Sequence, residues 1–114
     1  LASEKDRAEH IMIVDLVRND LGRIAVTGSV EVADEPQLTS LPTVHHLVSE
    51  VRARLAPGWS LYDVVASLFP GGSITGAPKH RTCELIGALE GETRGIYCGA
   101  IFVLDHDAPF RRSR

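Results

Sequence analysis

Three groups of residues have types and spacings suited to chemistry. The first is the run Leu68-Phe69-Pro70-Gly71-Gly72-Ser73-Ile74-Thr75-Gly76-Ala77-Pro78-Lys79. Its glycines permit positive φ and close approach by a ligand, and Pro78 suits the first turn of a helix predicted over 78–90. Such a loop delivers hydroxyls and amides to a helix amino end, where an anion is stabilised. A tight connector between two helices would use the same residue types. The run is not a Walker A loop, because Ala77-Pro78 stand between Gly76 and Lys79.

The second group is Asp6 and Glu9, three apart on a helix predicted over 4–19. Two carboxylates on one face supply the hard oxygen ligands that Mg²⁺ prefers, although a solvated helix face has the same spacing. The third is His46, in a strand between Val44 and Val48. An imidazole held there suits general acid–base work, and a satisfied core or edge histidine would look the same. His45 falls on the opposite strand face and reads as structural. His10 and His80 read as helix-face residues.

Positioning these groups requires a mixed set of elements. Ser3 caps the first helix, with Asp6 placed to complete a capping box. Ile11 to Val14, Leu16 and Val17 leave it little polar face, which predicts packing on more than one side. Asn19 to Gly22 mark a turn. Alternation from Ile24 to Val32 predicts a strand, residues 34–37 a loop, and Thr43 to Leu55 a second strand. Ser60 and Asp63 form another capping box before a helical stripe of Leu61, Val64, Val65 and Leu68. The helix over 78–90 turns Thr82, Leu85, Ile86 and Leu89 inward and ends at Gly91. Ile96 to Leu104, apolar on both faces, predicts a central strand. The class is α+β, with mixed α/β layers.

The 114 residues fit one modest domain or part of a larger one. Twelve Lys and Arg against fifteen Asp and Glu give a net charge of −3 with no basic block, which argues against nucleic acid or a membrane surface as partner. No apolar run has the length of a bilayer span. Cys83 and Cys98 lack metal-type spacing, and two cysteines fit a reduced, cytoplasmic setting.

Ser73-Ile74-Thr75-Gly76-Ala77-Pro78-Lys79, followed by Arg81 and Glu84-Leu85-Ile86, resembles the signature of the chorismate-utilising enzymes. The likeness extends through Lys5 to His10, Val14 to Arg23, His46 to Ser49 and Arg94 to Gly99, covering about residues 4–101. It implies that 1–104 are an internal part of a chorismate-binding catalytic domain. The polar stretch 105–114 is expected not to match the family, and the whole is expected to be a fragment of a larger domain.

The resemblance also assigns roles. Glu9 is implied as a Mg²⁺ ligand with the acidic Asp6 close by, and His46 as the group assisting departure of a ring hydroxyl. Gly72 and Ser73 are implied to hydrogen-bond the ring and its carboxylate, and Tyr97 to face the enolpyruvyl side chain. Read from the residues alone, Lys79 and Arg81 could balance substrate carboxylates, or else pair with Glu84 or be solvated. Asp15, Arg18, Asn19, Asp20 and Arg23 read as a polar network fixing a corner of the fold. The implied substrate is chorismate, and the implied partner a glutamine amidotransferase, separate or fused, that supplies ammonia.

Within the family, Gly72-Ser73-Ile74-Thr75 resembles the aminodeoxychorismate branch, whereas anthranilate synthases more often carry Thr-Val-Ser or Thr-Leu-Ser before Gly-Ala-Pro-Lys. The expectations are therefore an aminodeoxychorismate synthase, with an anthranilate synthase component as the alternative. A third reading is a non-catalytic remnant or partner-binding piece. The chain by itself is expected to be inactive.

Overall fold

The computed structural model describes residues 3–33 and 36–101. Helix α1 (Glu4–Gly22) opens with the expected capping box. The Asp6 N–H donates to Ser3 Oγ at 3.1 Å, and the Ser3 N–H donates to Asp6 Oδ2 at 2.9 Å. The helix continues through Asn19 to Gly22, which the sequence marked as a turn. Asn and Asp end helices by bonding their own backbone, but here Asp20 points inward to a partner from a distant helix and the helix runs on. Packing on several sides is also corrected. Ile11 and Met12 are more than half exposed, so among the described residues that face of α1 is uncovered.

The two predicted strands do run antiparallel, but not as continuous elements. β1 (Glu31–Val32) pairs with β4 (Val51–Arg52), with Glu31 opposite Arg52 and Val32 opposite Val51. The pairing extends in both directions through Ala33 N–H to Glu50 O, Val26 N–H to Arg54 O and Ala56 N–H to Ile24 O, each 2.8–2.9 Å. A turn from Val26 to Ser29, with Gly28 at φ 78°, interrupts the first strand. Positive φ is open to glycine and closed to a regular strand, so the apolar alternation continued across a break it could not reveal.

The second strand divides at Ser49-Glu50. Its first part, β3 (His45–Val48), pairs with β2 (Gln37–Ser40) in a separate antiparallel hairpin, with Thr39 opposite His46 and Ser40 opposite His45. The Leu41 N–H donates to Val44 O at 2.8 Å and closes the hairpin around Pro42-Thr43. β2 was not predicted, because Gln37, Thr39 and Ser40 leave Leu38 as the only apolar residue in it.

α2 (Leu61–Leu68) begins at the expected Ser60–Asp63 capping box. After Phe69-Pro70-Gly71 comes a single turn, α3 (Gly72–Thr75), and then α4 (Lys79–Glu90), capped by Gly91 in the left-handed region. Ile86 and Thr82 of α4 are half-buried, but Leu85 and Leu89 are 44% and 84% exposed rather than inward. Ile24 is the buried apolar residue where α1 passes into the ribbon.

The predicted strand from Ile96 is not formed over its described part. Residues 95–98 make a turn closed by Tyr97 N–H to Arg94 O and Gly99 N–H to Ile96 O, both 3.1 Å. Gly95 and Cys98 have positive φ, which folds the chain back. A strand persists only as one side of a ladder, and no described strand lies beside this segment. Residues 102–104 of that prediction, and the polar stretch 105–114, lie outside the described residues. The α+β class with mixed layers stands.

Candidate active site

The glycine-rich loop is seated on α1 at two levels. At the first, Gly72 lies so close to Leu16 that a Cβ built on it would fall 2.5 Å from Leu16 Cδ1 and 3.0 Å from Leu16 Cβ. Only glycine permits this approach without displacement. At the second, one turn further along α1, the Lys79 Nζ donates to Asp20 Oδ2 at 2.5 Å. The same ammonium donates to the carbonyls of Ser67 (3.2 Å) and Leu68 (3.3 Å) at the end of α2. Ser67 Oγ in turn donates to Asp20 O at 2.7 Å. The Lys79 and Asp20 side chains are 17% and 11% exposed, so this charged contact is sheltered from water.

Between these two anchors the loop presents an open start. The N–H groups of Ile74, Thr75 and Gly76 turn back onto Gly71 and Gly72 carbonyls, and Thr75 Oγ1 donates to Gly71 O at 3.2 Å. The turn's own bonds therefore do not use the amides of Gly72 and Ser73. Ser73 itself is exposed. An exposed hydroxyl beside two amides on a fixed turn can donate to a carboxylate or a ring hydroxyl.

The remaining expected residues lie in other parts of the molecule. Tyr97 is 71% exposed, with the Arg94 guanidinium 5.9 Å from its ring centre. Arg94 forks onto Glu90, which holds the Glu90 carboxyl below its ordinary range and the guanidinium above its own. A cavity of about 230 Å³ brings Tyr97 together with Thr75, Pro70, Cys83 and Cys98. Tyr97 thus meets one side of the glycine-rich turn, without Ser73.

His46 is exposed on the β2–β3 hairpin. The histidine ring bonds to hydroxyls among the described residues belong to His45 and His10. His45 Nδ1 meets Ser40 Oγ at 2.9 Å, in keeping with a structural part. His10 Nε2 meets Ser49 Oγ at 2.8 Å. That second bond was not read from the sequence. It joins α1, one residue after Glu9, to the chain three residues after His46.

Glu9 carries a largely exposed carboxylate, with the Lys5 ammonium 3.7 Å away. Asp6 has Oδ2 committed to the helix cap, and hydrogen bonds from Ser3 hold its carboxyl below the ordinary 3.8. Both side chains end in carboxylate oxygens, and Mg²⁺ is commonly held by one or two carboxylates plus water and substrate oxygens. The pair therefore fits part of a Mg²⁺ shell. Among the described residues no group of three His, Cys, Asp or Glu converges as a metal cluster. Of the expected polar corner, Asp15 and Arg18 pair with each other at 3.2 Å, and Asp20 is the buried partner of Lys79. Arg81 pairs with Glu84 at 3.0 Å.

Comparison with known proteins places this arrangement among relatives. Residues 1–111 match the family described as chorismate binding enzyme. The chain is 52% identical over 107 residues to anthranilate synthase component 1 1 of Haloarcula marismortui, covering 94% of this chain and 22% of that protein. It is 54% identical over 99 residues to aminodeoxychorismate synthase component 1 of Salmonella typhimurium, covering 87% and 22%. The fold is similar to the crystal structure of anthranilate synthase component I from Streptococcus pneumoniae, with a TM-score of 0.77 and 45% identity over 88% of this chain and 23% of that one. The chain thus spans about a fifth of the length of the relatives it matches. With matches of this extent in both sequence and fold, the chain belongs to the chorismate binding enzyme family.

Proposed function

We propose that the protein containing this chain adds ammonia to chorismate to form 4-amino-4-deoxychorismate, using ammonia from a glutamine amidotransferase partner or fused domain. The observation that carries this reading is the loop Gly72-Ser73-Ile74-Thr75, seated on α1 with Ser73 exposed and the Gly72 and Ser73 amides left out of the turn's own bonds. Similarity to aminodeoxychorismate synthases at about half identity supports it.

In this reading, Ser73 and the amides of Gly72 and Ser73 hydrogen-bond the ring carboxylate and orient the ring. His46 gives a proton to the departing ring hydroxyl. Tyr97 borders the enolpyruvyl side chain. Glu9, with Asp6 beside it, would hold Mg²⁺, whose Lewis acidity polarises the ring carboxylate and eases loss of the hydroxyl. The reaction belongs to the transferase class, in a cytoplasmic biosynthetic setting leading to para-aminobenzoate and folate. Among the described residues no helix is long and apolar enough to cross a membrane.

A second reading is favoured by a specific observation. Relatives named anthranilate synthase match to a similar extent, as does the solved structure. Chorismate, ammonia and Mg²⁺ supplied to the complete protein separate the two when products are followed by mass. A product retaining the enolpyruvyl group is expected. Release of pyruvate with an aromatic amine would transfer the protein to the anthranilate branch, and absence of any chorismate turnover would overturn both. The 114-residue chain alone is expected to be inactive in the same assay.

A further inference from the structure

The ammonium of Lys79 has three protons, and all three have partners within this chain. Asp20 Oδ2 lies at 2.5 Å, Ser67 O at 3.2 Å and Leu68 O at 3.3 Å. A side chain so engaged has no donor left for a substrate carboxylate. Its partners come from the ends of α1 and α2, while its own backbone begins α4. Three helices are therefore tied at one point, and both ends of the intervening 69–78 loop are fixed by it. The carbonyls of Ser67 and Leu68 hold the entry, and Lys79 itself holds the exit. Asp20 is further pinned through its own carbonyl, which accepts from Ser67 Oγ at 2.7 Å.

We propose that Lys79 is a positioning residue, which acts with Asp20 to hold the glycine-rich loop in the conformation that presents Ser73, and does not itself contact substrate. Asp20, in a different sequence motif, becomes its obligate partner. The proposal rests on the reading of Ser73 as a chorismate contact for its kinetic consequence, but not for the structural linkage.

The test uses the complete protein with Lys79→Met, Asp20→Asn, and the two combined. Circular dichroism first establishes that each is folded. The double variant removes both charges together, so it remains informative if a lone buried charge prevents either single variant from folding. Hydrogen exchange of the loop amides and steady-state turnover of chorismate are then measured. The expected result is faster exchange confined to residues 69–78, with kcat at least tenfold lower in Asp20→Asn as in Lys79→Met. The double variant should be no worse than the more severe single one, because the two residues act as a unit. A substrate-contacting lysine gives the opposite pattern: Lys79→Met raises KM while Asp20→Asn leaves it unchanged, and that overturns the proposal. Faster exchange throughout the protein, with kcat per folded molecule unchanged, reduces the pair to general stabilisation and overturns it too. If the wild type fails to turn over chorismate, the functional reading falls, while loop exchange in the variants still decides the linkage.

Discussion

The glycine-rich loop and the β2–β3 hairpin each carry a candidate reacting group, yet they are held by opposite means. The loop rests on α1 through a contact that admits only glycine at position 72, and through a sheltered charge pair at its exit. The hairpin is held by its own ladder, and its residues Leu38, Val44 and Val48 are about half exposed. A group on the loop inherits its position from three helices. One on the hairpin inherits only the register of two strands, plus the tether between His10 and Ser49. Sites that need orientation to within a fraction of an ångström gain it from such locked supports. The position of Ser73 is therefore built into the seating of the loop, whereas His46 takes its position from the hairpin ladder.

The largest effect should come from the loosely held region. In the complete protein, His46→Asn should lower kcat by about 10²–10⁴-fold, the usual worth of a general acid or base, and leave thermal stability near that of wild type. Loss of stability with unchanged kcat would make His46 a structural residue, and the contrast between the regions would disappear. Next comes the tightly held region. Gly72→Ala should destabilise by about 1–3 kcal/mol, read from the urea midpoint, because the new methyl meets Leu16. Adding Leu16→Ala should recover part of that loss relative to the sum of the single effects. Strict additivity would mean that the seating on α1 is not what restricts position 72.

The smallest effect belongs to α2, whose carboxyl end leads into the loop. Ser60→Ala removes the cap of α2 and should cost about 1 kcal/mol at neutral pH. Hydrogen bonds from Ser60 hold Asp63 below its ordinary 3.8, so their contribution is complete above that value and is lost as pH falls through the lower folded-state value. The stability gap between wild type and Ser60→Ala should therefore narrow only in acid below pH 3.8. A gap that narrows near neutrality would point to a different titrating group.

What could be read from the sequence was local. Both capping boxes, the left-handed Gly91 and helices α2 and α4 follow from residues within four positions of one another. The breaks at Gly28 and Ser49-Glu50 were not legible, because the apolar alternation in the sequence continues on both sides of each. The residues from Ile96 carried strand composition without a described neighbour to complete a ladder. Motif resemblance found Lys79 and Asp20 separately. Nothing in either segment says that two residues 59 apart share a charged contact, and so the sequence offers Lys79 substrate carboxylates, Glu84 or solvent, but not Asp20.

Helix α1 also works as a ruler. At 100° and 1.5 Å per residue, Leu16 and Asp20 lie within about 20° of the line through Glu9, roughly 10 and 16 Å along the axis. One straight stripe thus carries Glu9, the seat of the glycine-rich turn and the anchor of its exit. The spacing between the Glu9 carboxylate and the loop is set by counting residues rather than by side-chain choice. A single residue inserted between His10 and Asp15 would turn Glu9 by about 100° away from the loop while leaving every side-chain type in place. This segment should therefore tolerate substitution far better than a change of length.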